Sequence, residues 1–352
     1  MPLSRLANPA LLNFALALGL LYVFRSVLWP FALAFVIVIL TDALARKIEA
    51  LLPRASRWII FLITAILLSA LAFGTLLIVF EGAAQLLTQA PFMAERLSEL
   101  GGMIRLPGGE QLDVAGLMKS IAIAPLVRWV AASVQSTASG LGLTALYLFF
   151  LLISRRMVEK RLRQVIAKKG PEIGKVLERT VIGVQGYMYV QAVTGLMLAI
   201  ASGVAMFAVG LDNALFWALA LFLLSFIPVV GVMVGSLAPS LFALLQFDTP
   251  VPALIVFGVI QVAAAIIGNI VLPKMQAEAQ NIDPAASMLA LGAWSLIWGI
   301  PGAFLAIPLT LAVMYALAHH PSLDWVAVLL SNDGDPLSEV REAEASRQLD
   351  AS

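Results

Sequence analysis

The residues able to do chemistry in this chain are few, neutral and set in apolar sequence. Gln191, Thr194, Ser225, Gln261 and Asn269 each interrupt a run of Leu, Val, Ile, Ala and Phe. Their amides and hydroxyls donate and accept hydrogen bonds without carrying charge. Around Ser225, the residues Pro228, Gly231, Gly235 and Pro239 break one long apolar stretch, FLLSFIPVVGVMVGSLAPSLFALLQ over 222–246. Gly299, Pro301, Gly302 and Pro308 break a second over 284–318, and Pro273 closes the run that precedes it. Proline lacks a backbone donor and clashes with the preceding turn, and glycine costs helix stability. In hydrocarbon such a break survives only where the freed N–H and C=O groups are buried in protein or face a water-filled cavity. Discontinuous helices of this kind form substrate and ion sites in transporters. The set therefore suits hydrogen bonding to a small polyhydroxylated solute, or coordination of sodium by carbonyl oxygens. The competing reading is structural. Each proline is then a kink, each glycine a close helix contact, and each polar side chain an interhelical bond worth about 0.6 kcal/mol.

The ionisable residues point away from other chemistries. Asp42, Glu81, Asp212, Asp248 and Asp283 all fall at predicted span ends, Arg25 at a hairpin tip and His319 at the last exit. A proton antiporter needs a group that titrates within the barrier, and no carboxylate sits at mid-span. The chain has no cysteine, which removes thiol catalysis, disulfides and cysteine metal sites. His319 and His320 are adjacent, with no partner one helical turn away, and make a poor chelate. The segment GPEIGKV at 170–176 has the wrong glycine spacing for a phosphate-binding loop, and no strand precedes it. No Gly-x-Ser-x-Gly, no His-Glu-x-x-His and no pair of span aspartates is present, so we expect no enzyme, cofactor or metal. A net charge of +1 gives no reason to expect nucleic acid.

These residues must be positioned by membrane helices. Of 352 residues, 61% are hydrophobic and 12% charged, with a mean hydropathy of +0.97. Soluble domains carry about 25% charged residues. With several apolar runs near 20 residues, this composition specifies an all-α, polytopic integral membrane protein.

Residues 11–24 and 28–40 read as a tight hairpin, with the first retained as a span because no small-residue cleavage site follows it. Residues 41–57 form a polar connection rich in Arg and Lys, which places it in the cytoplasm. Residues 58–80 are a clean third span. Residues 81–140 read as a non-cytoplasmic insert of short amphipathic helices around a turn at 107–109. Residues 141–153 return through the bilayer into a basic segment, 155–179, whose Val158, Leu162, Val165 and Ile166 share a helical face. A basic amphipathic helix beside a span suits the cytoplasmic lipid surface. Spans are expected at 187–209 and 251–272, with a turn at Asp212–Asn213 between the first of them and the broken stretch. The tail, 319–352, is polar and expected to be disordered. Counting each broken stretch once gives about eight spans with both termini inside. Either stretch is alternatively a re-entrant hairpin.

Four blocks in the C-terminal part carry a family resemblance: GYMYVQAVTGL (186–196), FIPVVGVMVG (226–235), GNIVLPKM (268–275) and GIPGAFLAIPL (299–309). In order and spacing they resemble the AI-2E transporters, the autoinducer-2 exporter or PerM-like permeases. The specific likeness covers 183–318, and the layout of 1–182 agrees with it. The resemblance implies a multi-pass transporter of the bacterial inner membrane with 183–318 as its transport core. It implies export of a small polar metabolite of the autoinducer-2 type, and raises the standing of Gln191, Gln261 and Asn269. It also implies homo-oligomers, with the pentamer as the candidate state. Some members resemble sodium or lithium/proton antiporters, and a non-transporting membrane scaffold is a further alternative. Many relatives carry a glutamate immediately before the Gly–Asn pair. Here that position is Ile267, which weakens the antiporter reading, and Pro239 falls one residue later than usual.

Overall fold

The computed structural model describes residues 9–53, 56–103, 123–276, 281–319 and 322–336. Among them every regular element is helical. In chain order these are α1 (Pro9–Val23), α2 (Arg25–Leu51), α3 (Arg57–Met103), α4 (Ile123–Lys169), α5 (Pro171–Ala208), α6 (Ala214–Ser225) and α7 (Val230–Gln246). Then follow α8 (Val251–Ile266), a π-helical turn (Ile267–Val271), α9 (Leu272–Gln276), α10 (Pro284–Trp298), α11 (Ile300–Ala318) and α12 (Asp324–Leu330). Among the described residues four helical stretches are long and apolar enough to cross a membrane: Arg25–Leu51, Ile173–Ala208, Val251–Met275 and Ile300–Ala318. A fifth exists if the bent pair Ser139–Arg155 and Met157–Lys168 counts as one, and shorter apolar helices fill in between. The fold class read from composition therefore holds.

Several boundaries differ from expectation, in one direction. Helix α2 runs on through Pro30 into residues 41–51, where a polar connection was expected. Helix α3 runs unbroken to Met103 through Pro91, replacing the short helices expected after residue 80. Helix α4 already starts at Ile123, within the expected insert. The extramembrane ends are rich in Ala, Leu, Glu, Arg and Lys, all strong helix formers, so leaving the bilayer does not end the helix. The expected turn at 107–109 lies outside the described residues. The tail is not wholly irregular. Helix α12 forms, and Asn281 fastens residues 332–335 by donating from Nδ2 to Asp333 Oδ1 and Asp335 O and accepting from Asn332 N–H.

The chain divides into two compact units, Met1–Ile60 with Thr137–Val190 and Met275–Ser352, and Phe61–Ser136 with Gln191–Lys274. In the first, Asp42 of α2 pairs with Arg155 of α4 at 2.6 Å. Arg46 of α2 donates to Gln185 of α5, whose amide donates in turn to the Ile39 carbonyl. The core of the second unit gathers Leu198, Met206, Leu221, Phe242, Val256 and Ile260 from α5, α6, α7 and α8.

Each broken stretch is a helical hairpin. Helices α6 and α7 run antiparallel: Gly235 abuts Leu221, Gly231 abuts the Leu224 carbonyl, and the Trp217 and Phe242 rings lie 5.5 Å apart. The base is closed by Gln246, which accepts from Asp212 N–H at 2.9 Å and donates to the Gly210 carbonyl at 3.0 Å. The two ends of 214–246 are thus neighbours, and the chain returns to the side it left. At 12 residues, α6 is about 18 Å long, short of the roughly 30 Å hydrocarbon core. Asp248, just past the base, pairs with Arg96 on the extension of α3 at 2.6 Å. Counting this stretch as one crossing would have separated those two residues by a membrane. Helices α10 and α11 form a second hairpin, with Trp294 Nε1 donating to Thr310 Oγ1 across it at 3.1 Å.

Candidate functional site

The tip of the first hairpin collects most of the polar groups singled out in the sequence. Helix α6 ends at Ser225 because Pro228 cannot donate to the preceding turn. The helix tightens as it ends, the Phe226 and Ile227 N–H groups closing on the Leu223 and Leu224 carbonyls, so that the Ser225 carbonyl is the one left to a side chain. The Ser225 carbonyl is taken by the side-chain amide of Gln191, on α5. Gly195, one turn further along α5, lies directly against Ser225, leaving no room there for a Cβ. The hydroxyls are spent on their own helices: Ser225 Oγ donates to Phe222 O at 2.6 Å, and Thr194 Oγ1 to Gln191 O at 3.4 Å.

The turn itself is strained. Val229 has φ 61° and ψ −57°, and the Val230 N–H closes on the Pro228 carbonyl at 2.6 Å. This is the rare γ-turn with positive φ, occupied by a β-branched residue, for which positive φ is a true outlier. A conformation of this sort costs on the order of 1–3 kcal/mol and persists only where its surroundings hold it. Two hydrophobic side chains at the tip are open, Val229 at 59% and Val230 at 40% exposure. Among the described residues no backbone carbonyl takes the Val229 N–H, and the first turn of α7 follows at once. The tip therefore juxtaposes the negative C-terminal end of α6, capped by an amide, with the positive N-terminal end of α7.

The remaining expected residues separate into three groups. Gly231, Gly235 and Pro239 are buried along the hairpin interior, where they let α6 and α7 approach. Gln261, Asn269 and Pro273 lie on the outer surface of α8 and its continuation. No hydrogen bond joins them to the tip, and Asn269 donates back to Ala265 O on its own helix at 2.8 Å. The π-helical turn at Ile267–Val271 was not foreseen, and turns of this kind recur at functional positions. Gly299, Pro301 and Gly302 form the tip of the second hairpin. Gly299 has φ 66° and ψ −139°, a region close to one that is essentially glycine's alone. Gly302 packs on the Trp294 carbonyl, and Trp298 Nε1 donates to Leu21 O of α1 at 3.1 Å.

Three contributors escaped the sequence reading. Gly195 had a signal in the Thr–Gly pair of the first block, and Gln246 in being the lone amide closing an apolar run. Val229 had none, because its side chain argues against the conformation it adopts.

Helices paired into hairpins whose tips are broken by proline and glycine, inside an all-α multi-pass membrane chain, are an arrangement that membrane transporters use. The family comparison is decisive on the particular kind: the AI-2E family transporter model matches residues 11–321, and the chain belongs to that family. A "Putative transport protein" of Haemophilus influenzae is 24% identical over 323 residues, covering 87% of this chain and 90% of the relative. The "Putative permease PerM" of Escherichia coli is 24% identical over 311 residues, covering 83% and 86%. The "AI-2 transport protein TqsA" of Escherichia coli is 23% identical over 198 residues, 56% of this chain and 57% of that protein.

Proposed function

We propose that this chain is a bacterial inner-membrane carrier that exports a small, neutral, polyhydroxylated metabolite of the autoinducer-2 type, and so serves quorum sensing. The observation that carries the proposal is the first hairpin tip. There the Gln191 amide, the Ser225 carbonyl and the open Val229 N–H stand together beside an accessible, strained turn. Such a group offers hydrogen bonds to hydroxyls and carbonyls and no charge for an ion. The name of one relative, TqsA, supports the solute class. The chain is not an enzyme on this reading, and its work is binding and moving a solute.

Cation/proton antiport is the weaker reading. Helices α6, α7, α8, α10 and α11 carry no carboxylate, so no group is placed in them to carry a proton through the barrier. Self-association is part of the proposal, with the pentamer as the candidate state. It is supported by α8, whose apolar stretch is only 11% buried and presents the amides of Gln261 and Asn269 outward. An amide facing hydrocarbon costs several kcal/mol, which a second copy or a water-filled cleft would remove.

Proteoliposomes loaded with autoinducer-2 test the solute and the coupling together. The expected result is efflux above that of protein-free vesicles, unchanged by an imposed pH gradient or by sodium. No efflux would remove the solute assignment. Efflux steeply dependent on the pH gradient would restore antiport.

A further inference from the structure

The second half of α4 departs from its first. The segments Ser139–Arg155 and Met157–Lys168 meet at 65°, so the second runs closer to the membrane plane than to its normal when the first crosses. Its sides differ in chemistry. Leu162 and Ile166 are half-buried, and Ile166 rests against Gly174 at the start of α5, 3.1 Å from where a Cβ would stand. At positions i, i+3, i+7 and i+10, Val158, Arg161, Val165 and Lys168 share a different side, and all four are exposed. Met157 extends the apolar part and is also exposed. Among the described residues neither Arg161 nor Lys168 makes an ion pair.

An exposed apolar strip carrying unpaired cations is complementary to one surface above others. Valines and methionine suit the boundary between headgroups and acyl chains, while the guanidinium and ammonium groups suit phosphate oxygens at the same depth. We propose that the Met157–Lys168 segment lies on the membrane and binds anionic phospholipid headgroups, with Val158 and Val165 entering the leaflet and Arg161 and Lys168 gripping phosphate. The occupant is the bilayer that α4 has just left. RNA would need the cations and not the valines, and a protein partner would have to bring carboxylates to both cations as well as an apolar strip to the valines.

The absence of native cysteine makes the test direct. Full-length Val165→Cys, labelled with an environment-sensitive fluorophore, is placed in nanodiscs of phosphatidylcholine alone or with phosphatidylglycerol added. Ala167→Cys reports from the far side of the helix. The expected result is a blue shift and loss of aqueous quenching at position 165 when phosphatidylglycerol is present, with position 167 quenched in both. Arg161→Gln with Lys168→Gln should abolish the difference. Equal protection of position 165 in both lipids would overturn headgroup recognition. Free quenching in both would overturn membrane contact altogether. A shift produced in neutral discs by an RNA oligonucleotide, and absent with phosphatidylglycerol, would assign the face to nucleic acid instead.

Discussion

At the scale of the residue, Val229 is the position where local preference and observed conformation disagree most. A β-branched side chain held at φ 61° is maintained by the helices on either side. Replacement by glycine removes the clash while adding a smaller entropic cost. Val229→Gly should therefore stabilise the detergent-solubilised protein by about 0.5–2 kcal/mol, read as a raised melting temperature. A lowered one would mean that Val229 is held by contacts and not under strain. Proline and glycine in the sequence were enough to locate the break, and Ser225 and Gln191 were legible as hydroxyl and amide in apolar surroundings. Their pairing was not legible, since a carbonyl freed at residue 225 attracts an amide 34 residues earlier only once α5 and α6 are packed.

At the scale of the element, the two broken stretches show what sequence periodicity leaves open. A kinked span and a hairpin share the same apolar run with proline and glycine at its centre. What separates them here is contact between residues on either side of the break: Gly231 on Leu224, Gly235 on Leu221, and Gln246 closing the base. Between lipid-facing helices there is little hydrophobic driving force, and close approach at small residues carries the association. The sequence leaves Gly231 two readings, freed backbone at a site or a close helix contact. Its place against the Leu224 carbonyl makes it a packing position, and substitution there acts on stability first. Gly231→Ala should destabilise the hairpin by about 1–3 kcal/mol. Gly258→Ala on α8, with nothing within 4 Å of the added carbon, should be neutral or stabilising by up to about 1 kcal/mol. Thermal unfolding of the two variants side by side checks the contrast. Equal melting temperatures would remove the packing role.

At the scale of the whole molecule, composition alone gave the class, and the short basic loops set the expected orientation. The number of crossings was the part that could not be counted from hydropathy, because a hairpin and a span bury the same residues. The ion pair between Arg96 and Asp248 requires the base of the first hairpin to share a side with the extension of α3. Thr249→Cys should consequently react with an impermeant thiol reagent on intact cells, and Lys160→Cys should react only after the cells are opened. Labelling of position 160 but not 249 on intact cells would invert the topology. Labelling of neither would mean that 214–246 crosses once, with residue 249 inside.

The central claim is that the first hairpin tip is where solute meets protein, and Pro228→Ala tests it most directly. Because the chain reverses at the tip, alanine does not create a continuous span. It supplies one N–H that can take up a carbonyl at the end of α6 and frees the φ that proline fixed. The measurement is autoinducer-2 efflux from proteoliposomes in which the wild-type protein is active, with matched insertion and melting temperature for the variant. The expected result is loss of most of the flux with stability unchanged. Wild-type flux from Pro228→Ala would contradict the claim, leave the tip as a turn only, and move the search to Gly299–Gly302.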